Sequence, residues 1–100
     1  MAERKYRVEW TIPALDSLIQ AVTFIRRDNP AAARRLYEAV LRRTEPLAKY
    51  PMLGRTVPEY NDQFCRELIH PPYRIIYQVF PAQQKVEIIA VVHSARLLVQ

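Results

Sequence analysis

The sequence predicts an α+β fold: an N-terminal strand, an α-helical hairpin, then a three-stranded antiparallel meander packed on the hairpin. Three observations predict it. Tyr6, Val8 and Trp10 alternate with Arg7 and Glu9 at the period of a strand with one buried face; two apolar stripes at helical spacing follow; three strand-like runs close the chain, parted by proline-bearing turns. With 100 residues, half of them apolar and a quarter charged, these elements share one core. The chain therefore reads as a single domain over residues 1–100, with 1–5 and 97–100 expected to be flexible when free.

Each element has a local cause. Thr11 is placed to cap the first helix with Pro13 in its first turn, and Leu15, Leu18, Ile19, Val22 and Ile25 set an inward stripe that ends near Asp28. Asn29 and Pro30 restart the chain as cap and first helical residue, and Ala33, Leu36, Tyr37, Val40, Thr44 and Leu47 draw the second stripe. Pro46 removes a backbone donor inside that stripe, so the helix is expected to kink or fray over residues 44–49. Residues 51–64 lack periodicity and hold Pro51, Gly54, Pro58, Asn61 and Asp62, the marks of a long irregular loop of the kind that often carries function. Gly54, the one glycine, is expected to serve a positive-φ turn. Strands are expected over 66–69, 74–80 and 85–93. Ile75, Tyr77 and Val79 share one face of the middle strand and Val86, Ile88, Ala90 and Val92 one face of the last, and both sets are expected to pack on the helices.

Composition excludes several functions. One glycine cannot build a phosphate-cradling loop, so nucleotide-binding enzymes of that design are out. Cys65 has no partner for an internal disulfide, and with only His70 and His93 beside it a closed zinc site would need carboxylates as well; neither metal nor cofactor is expected. The charged start lacks an apolar segment after it and the longest apolar run, from Ile88 to Val92, is too short to span a bilayer, so a cytoplasmic protein with no membrane partner is expected. The formal charge is +5, with twelve Arg against three Lys, which fits an acidic partner or an arginine-rich codon bias.

Two sets of basic residues carry the chemistry. Arg26/Arg27, Arg34/Arg35 and Arg42/Arg43 recur every eight residues, a pattern open to nucleic-acid binding. Glu38 stands four residues from both Arg34 and Arg42, so ordinary ion pairs on a solvated helix face explain the same pattern. Arg74 opens the middle strand of the meander, and His93 and Arg96 stand at the end of the last. If they converge, two guanidinium forks and an imidazole make an anion site. For cleavage of RNA, the arginines could only stabilise charge, His93 could carry one proton, and Glu67 is the candidate for a second carrier unless Arg66 and Arg74 pair with it. His70, before two prolines, reads as a turn residue, and Tyr73 and Tyr77 as core or edge aromatics. Ser94 follows His93 without the glycine-rich elbow of a hydrolase.

Six pieces, in order and spacing, resemble the RelE/ParE superfamily of bacterial toxins: Pro51-x-x-Gly54-Arg55, Pro58-Glu59, Arg66-Glu67-Leu68, Tyr73-Arg74-Ile75-Ile76-Tyr77, Val86-Glu87-Ile88-Ile89 and His93-x-x-Arg96, within residues 6–97. The resemblance implies a toxin of a type II toxin-antitoxin system, neutralised by a cognate antitoxin. In that superfamily RelE-like members cut messenger RNA on the ribosome, and ParE-like members inhibit DNA gyrase. Arg74 and Arg96 fall where the nucleases carry catalytic arginines, but Cys65 and Glu67 stand where those enzymes place lysines, and the tyrosine placed after Arg96 falls beyond Gln100. A glutamate in place of a cation repels phosphate, and the ParE-like branch is favoured. The resemblance thus implies a gyrase inhibitor that acts by binding, more a non-enzyme than an enzyme. The alternative is a metal-independent, ribosome-dependent mRNA endonuclease using Arg74, His93 and Arg96. Target contacts are expected among Arg55, Arg66, Glu67, Tyr73, Arg74, His93 and Arg96, and antitoxin contacts at the apolar tail Leu97, Leu98 and Val99, with no sequence-specific DNA binding by this chain alone.

Overall fold

The computed structural model describes residues 5–94, so the expectations for Arg96, Leu97, Leu98 and Val99, and for the flexible ends at 1–4 and 97–100, lie outside the described residues. In chain order the elements are β1 (Arg7–Trp10), α1 (Ile12–Arg26), α2 (Pro30–Thr44), a 3-10 turn (Glu45–Ala48), β2 (Arg55–Thr56), β3 (Cys65–His70), β4 (Tyr73–Phe80), a second 3-10 turn (Pro81–Gln83) and β5 (Lys85–His93). The strands form one mixed sheet in the order β1-β5-β4-β3-β2. The expected meander β3-β4-β5 is its antiparallel centre; β1 adds to one edge parallel to β5, and β2 to the other edge antiparallel to β3. The short strand β2 lies within the segment read as loop, where two residues are too few to show a period. No described helix is long and apolar enough to cross a membrane.

Both helix starts follow from their caps. The Thr11 hydroxyl accepts from the Ala14 amide at 3.2 Å and donates to the Ile88 carbonyl at 2.9 Å, so one side chain starts α1 and ties it to β5. Asn29 accepts from the Ala32 amide at 3.0 Å, with Pro30 as the first helical residue. At Pro46 the α-helix gives way to the 3-10 turn Glu45–Ala48, whose Leu47 stays in the core.

The buried stripe of α1 is rotated from the expected one. Ala14 and Leu18 are buried and Ala21, Val22 and Ile25 pack beside them, while Leu15 and Ile19 face outward at 43% and 60% exposure. Small residues let α1 lie close to β5, and Ser17 fastens it there, donating to the Ala14 carbonyl at 2.9 Å and accepting from the Val91 amide at 2.8 Å. On α2, Tyr37 likewise turns outward, and Ala39 takes the buried place. In each case an alanine fits the close contact that a larger apolar residue would block.

A bulge in β5 overturns the expected face of the last strand. Tyr77 pairs with Ile88 but Ile76 pairs with Ala90, so Ile89 is the extra residue. Before it, Val86 and Ile88 face the helices; after it, Val91 does, and Ala90 and Val92 pass to the opposite face with Val57, Cys65 and Ile76. A single inserted residue reverses the alternation, which no periodicity count detects.

Gly54 corrects a second expectation, because no described glycine has positive φ. Its role is close approach: a Cβ there would run into the Glu67 carbonyl oxygen and lie 2.9 Å from both the Glu67 carbonyl carbon and the Tyr77 hydroxyl oxygen. The left-handed position falls instead on Gln84 at φ 50°, closing the turn into β5.

Candidate functional site

Strand alternation places Glu67 and Arg74 with Ile76 on the sheet face away from the helices, and the β2–β3 register sets Arg55 opposite Glu67. The three side chains and Glu59, from the loop after β2, form one charged cluster. Arg74 donates through Nε to Glu67 Oε1 at 2.7 Å and through its two terminal nitrogens to Glu59 Oε2 and Oε1 at 2.8 and 2.7 Å. Arg55 donates through Nε to the second Glu67 oxygen at 2.6 Å. The Glu67 side chain is wholly buried, those of Arg74 and Glu59 are 6% and 17% exposed, and only Arg55, at 60%, opens to solvent.

Among the described residues, two guanidiniums face two carboxylates, so these four side chains balance in charge. Arg74 is held protonated well above the ordinary guanidinium range, first by the hydrogen bonds it donates to Glu59 and then by the one it donates to Glu67, which together outweigh the opposing effect of burial. A guanidinium so engaged can neither exchange a proton near neutrality nor offer its fork to a phosphate without first releasing Glu59. Arg55, Glu59 and Arg74 of the cluster line a cleft together with Pro58, Ile69 and Ser94.

The structure does not bring His93 to this cleft. Tyr73 pairs with His93 and Arg74 with Val92, so consecutive residues of β4 send Arg74 to one face and Tyr73, with His93, to the other. There the exposed His93 imidazole stands edge-on to the Tyr73 ring, with centroids 5.9 Å apart and planes at 72°. Arg66 is committed to the backbone, donating to the carbonyls of Gln63 and Gly54 at 2.8 Å each and so clamping the loop that carries Glu59. Glu59 was no candidate from its own position, because it sits in an aperiodic loop; the buried Arg74 is what needs it. His70 ends β3, and the following Pro71-Pro72 bond is cis.

Beneath the cluster, Cys65 is buried, and that burial, with the nearby Asp62 and Glu67 carboxylates, pushes its thiol above the usual range. The Tyr77 hydroxyl is raised by burial as well, and it accepts the Gly54 amide at 2.8 Å. On α2, the pairs expected from Glu38 to Arg34 and Arg42 do not form within 4 Å.

With this architecture in place, the model of the ParE toxin of the type II toxin-antitoxin system parDE matches residues 8–98. The chain belongs to the ParE toxin family. It is 33% identical over 90 residues to Y4kP of Sinorhizobium fredii, named as a candidate toxin, with 88% of each chain covered. The ParE-family fold is also seen in the chromosomal ParDE system of P. aeruginosa, at TM-score 0.74 and 16% identity over 90% of this chain and 97% of the other. A RelBE toxin-antitoxin complex from Mycobacterium tuberculosis gives TM-score 0.64 and 21% identity over 95% and 98%. The isolated RelE toxin of E. coli gives 0.57 and 19% over 92% and 87%. The chain is thus a type II toxin of the ParE/RelE superfamily.

Proposed function

We propose that this chain inhibits DNA gyrase by binding it, and that a cognate antitoxin holds it in check. The observation that carries the first half is the state of Arg74. Among the described residues, the arginine that falls on a catalytic position, Arg74, is buried in a cluster with Glu59 and Glu67, and the imidazole that would carry a proton lies across the sheet from it. RNA cleavage needs a base and an acid at the same phosphate. A rigid cluster with Arg55 projecting from it suits a protein that recognises a surface. Partners in ParE-family and RelBE complexes support the antitoxin, as does the apolar surface that the hairpin leaves exposed at Ile12, Ile19 and Phe24.

The test is direct. Purified chain should inhibit gyrase supercoiling or accumulate gyrase-cleaved DNA, and should leave ribosome-bound messenger RNA intact; co-expressed antitoxin should restore growth. One observation favours the endonuclease alternative: His93 is exposed beside the Tyr73 ring, an imidazole next to a phenol. Cleavage of messenger RNA that is lost in His93→Ala, with the fold kept, would replace the gyrase reading by that one.

A further inference from the structure

The arginine row of the hairpin is not absorbed by the cluster. Over residues 26–43 six arginines meet only Asp28 and Glu38, so this stretch holds +4 of the chain's formal +5. Arg26, Arg27, Arg34, Arg35 and Arg42 are exposed and make no ion pair among the described residues. Arg35 and Arg42 stand two turns apart on nearly one line of α2, about 10 Å along the axis. They form one wall of a groove whose other wall is the β3–β4 turn, with His70, Pro72 and Tyr73. Glu38 sits on the arginine wall between them.

We propose that this groove binds single-stranded DNA. One wall offers unpaired guanidinium forks to backbone phosphates and the other offers rings on which a base can stack, the two halves of a sequence-tolerant single-strand site. A duplex keeps its base faces stacked and would leave the ring wall unused. The His93 ring set edge-on against Tyr73 buttresses the stacking wall from the end of β5. Glu38, between the arginines, limits how many phosphates can approach and makes the site weak and salt-sensitive. The choice of DNA rests on the gyrase reading, in which the chain acts beside opened DNA; the groove itself does not.

Fluorescence anisotropy of a labelled oligodeoxythymidylate about ten nucleotides long, titrated with purified chain at low salt, tests this. Binding should be saturable. Arg35→Gln/Arg42→Gln should weaken it about tenfold or more and flatten the log K against log salt slope by about 1.4, the loss of two phosphate contacts. Arg26→Gln/Arg27→Gln removes the same charge outside the groove and should cost less than about threefold. Tyr73→Leu should weaken binding without changing the salt slope, and all variants should keep the native circular dichroism. No saturable binding, equal losses in the two arginine doubles, or tighter binding of duplex, oligouridylate or polyglutamate would overturn the proposal. Supercoiling assays on the same samples separate the two readings: inhibition without DNA binding removes the groove and leaves the gyrase reading, and DNA binding without inhibition does the reverse.

Discussion

Replacing Arg74 by Met keeps most of the side-chain stem and removes the guanidinium. In the native cluster that group donates hydrogen bonds of 2.7–2.8 Å to Glu67 and to both oxygens of Glu59, at 6% exposure. Its loss leaves the wholly buried Glu67 carboxylate with Arg55, and brings two carboxylates together that Arg74 had joined. Breaking a buried ion pair from one side costs about 3–5 kcal/mol. Against a total of about 5–15 kcal/mol for a domain, and at about 4–8 °C per kcal/mol, the melting temperature should fall by more than about 12 °C. The double variant Arg74→Met/Glu67→Gln removes the stranded charge and should recover about half of the loss or more, because neutral, well-packed replacements of buried pairs are often tolerated. Urea unfolding of the wild type, both singles and the double gives the coupling directly. A loss under about 1 kcal/mol in Arg74→Met, or additive effects in the double, would mean that Arg74 is screened and available to a ligand. Gyrase inhibition should survive in the stabilised double variant, since Arg74 acts on the fold.

Gly54→Ala should destabilise by about 1–3 kcal/mol, because the new methyl meets the Glu67 carbonyl and pushes β2 from β3; unchanged urea unfolding would refute this. Ser17→Ala strips the acceptor from the Val91 amide just past the bulge and should cost about 1–3 kcal/mol, with faster hydrogen exchange at Val91. The thiol of Cys65 and the hydroxyl of Tyr77 are both raised in the folded chain, so their contribution is complete below the unfolded values, about 8.5 and 10, and is lost as pH rises through the folded ones. Stability should therefore fall above about pH 8.5, and Cys65→Ala should move the onset upward toward the tyrosine range; an identical pH slope in that variant would count against the buried thiol.

Much of the fold is legible from side chains alone. Caps at Thr11 and Asn29, the break at Pro46 and the period-two runs of β1 and β4 are consequences of local chemistry, and each stands in the structure where the sequence places it. The order of those elements also determines the α+β class and, with the six short motifs, the superfamily. Three features were decided only by tertiary contact. The bulge at Ile89 reverses the faces of Ala90, Val91 and Val92, because one extra residue in β5 changes the phase of everything after it. The alanines of α1 turn inward because the helix lies tightly on β5, leaving Leu15 and Ile19 outside. For Arg74 the sequence left open both an anion site shared with His93 and a pairing with Glu67; the fold takes the pairing, with Glu67 from the neighbouring strand, and adds Glu59 from an aperiodic loop. Sequence spacing records which side chains share an element's face; which charges meet across elements depends on register and loop path, and a buried charge takes the partner that those bring to it.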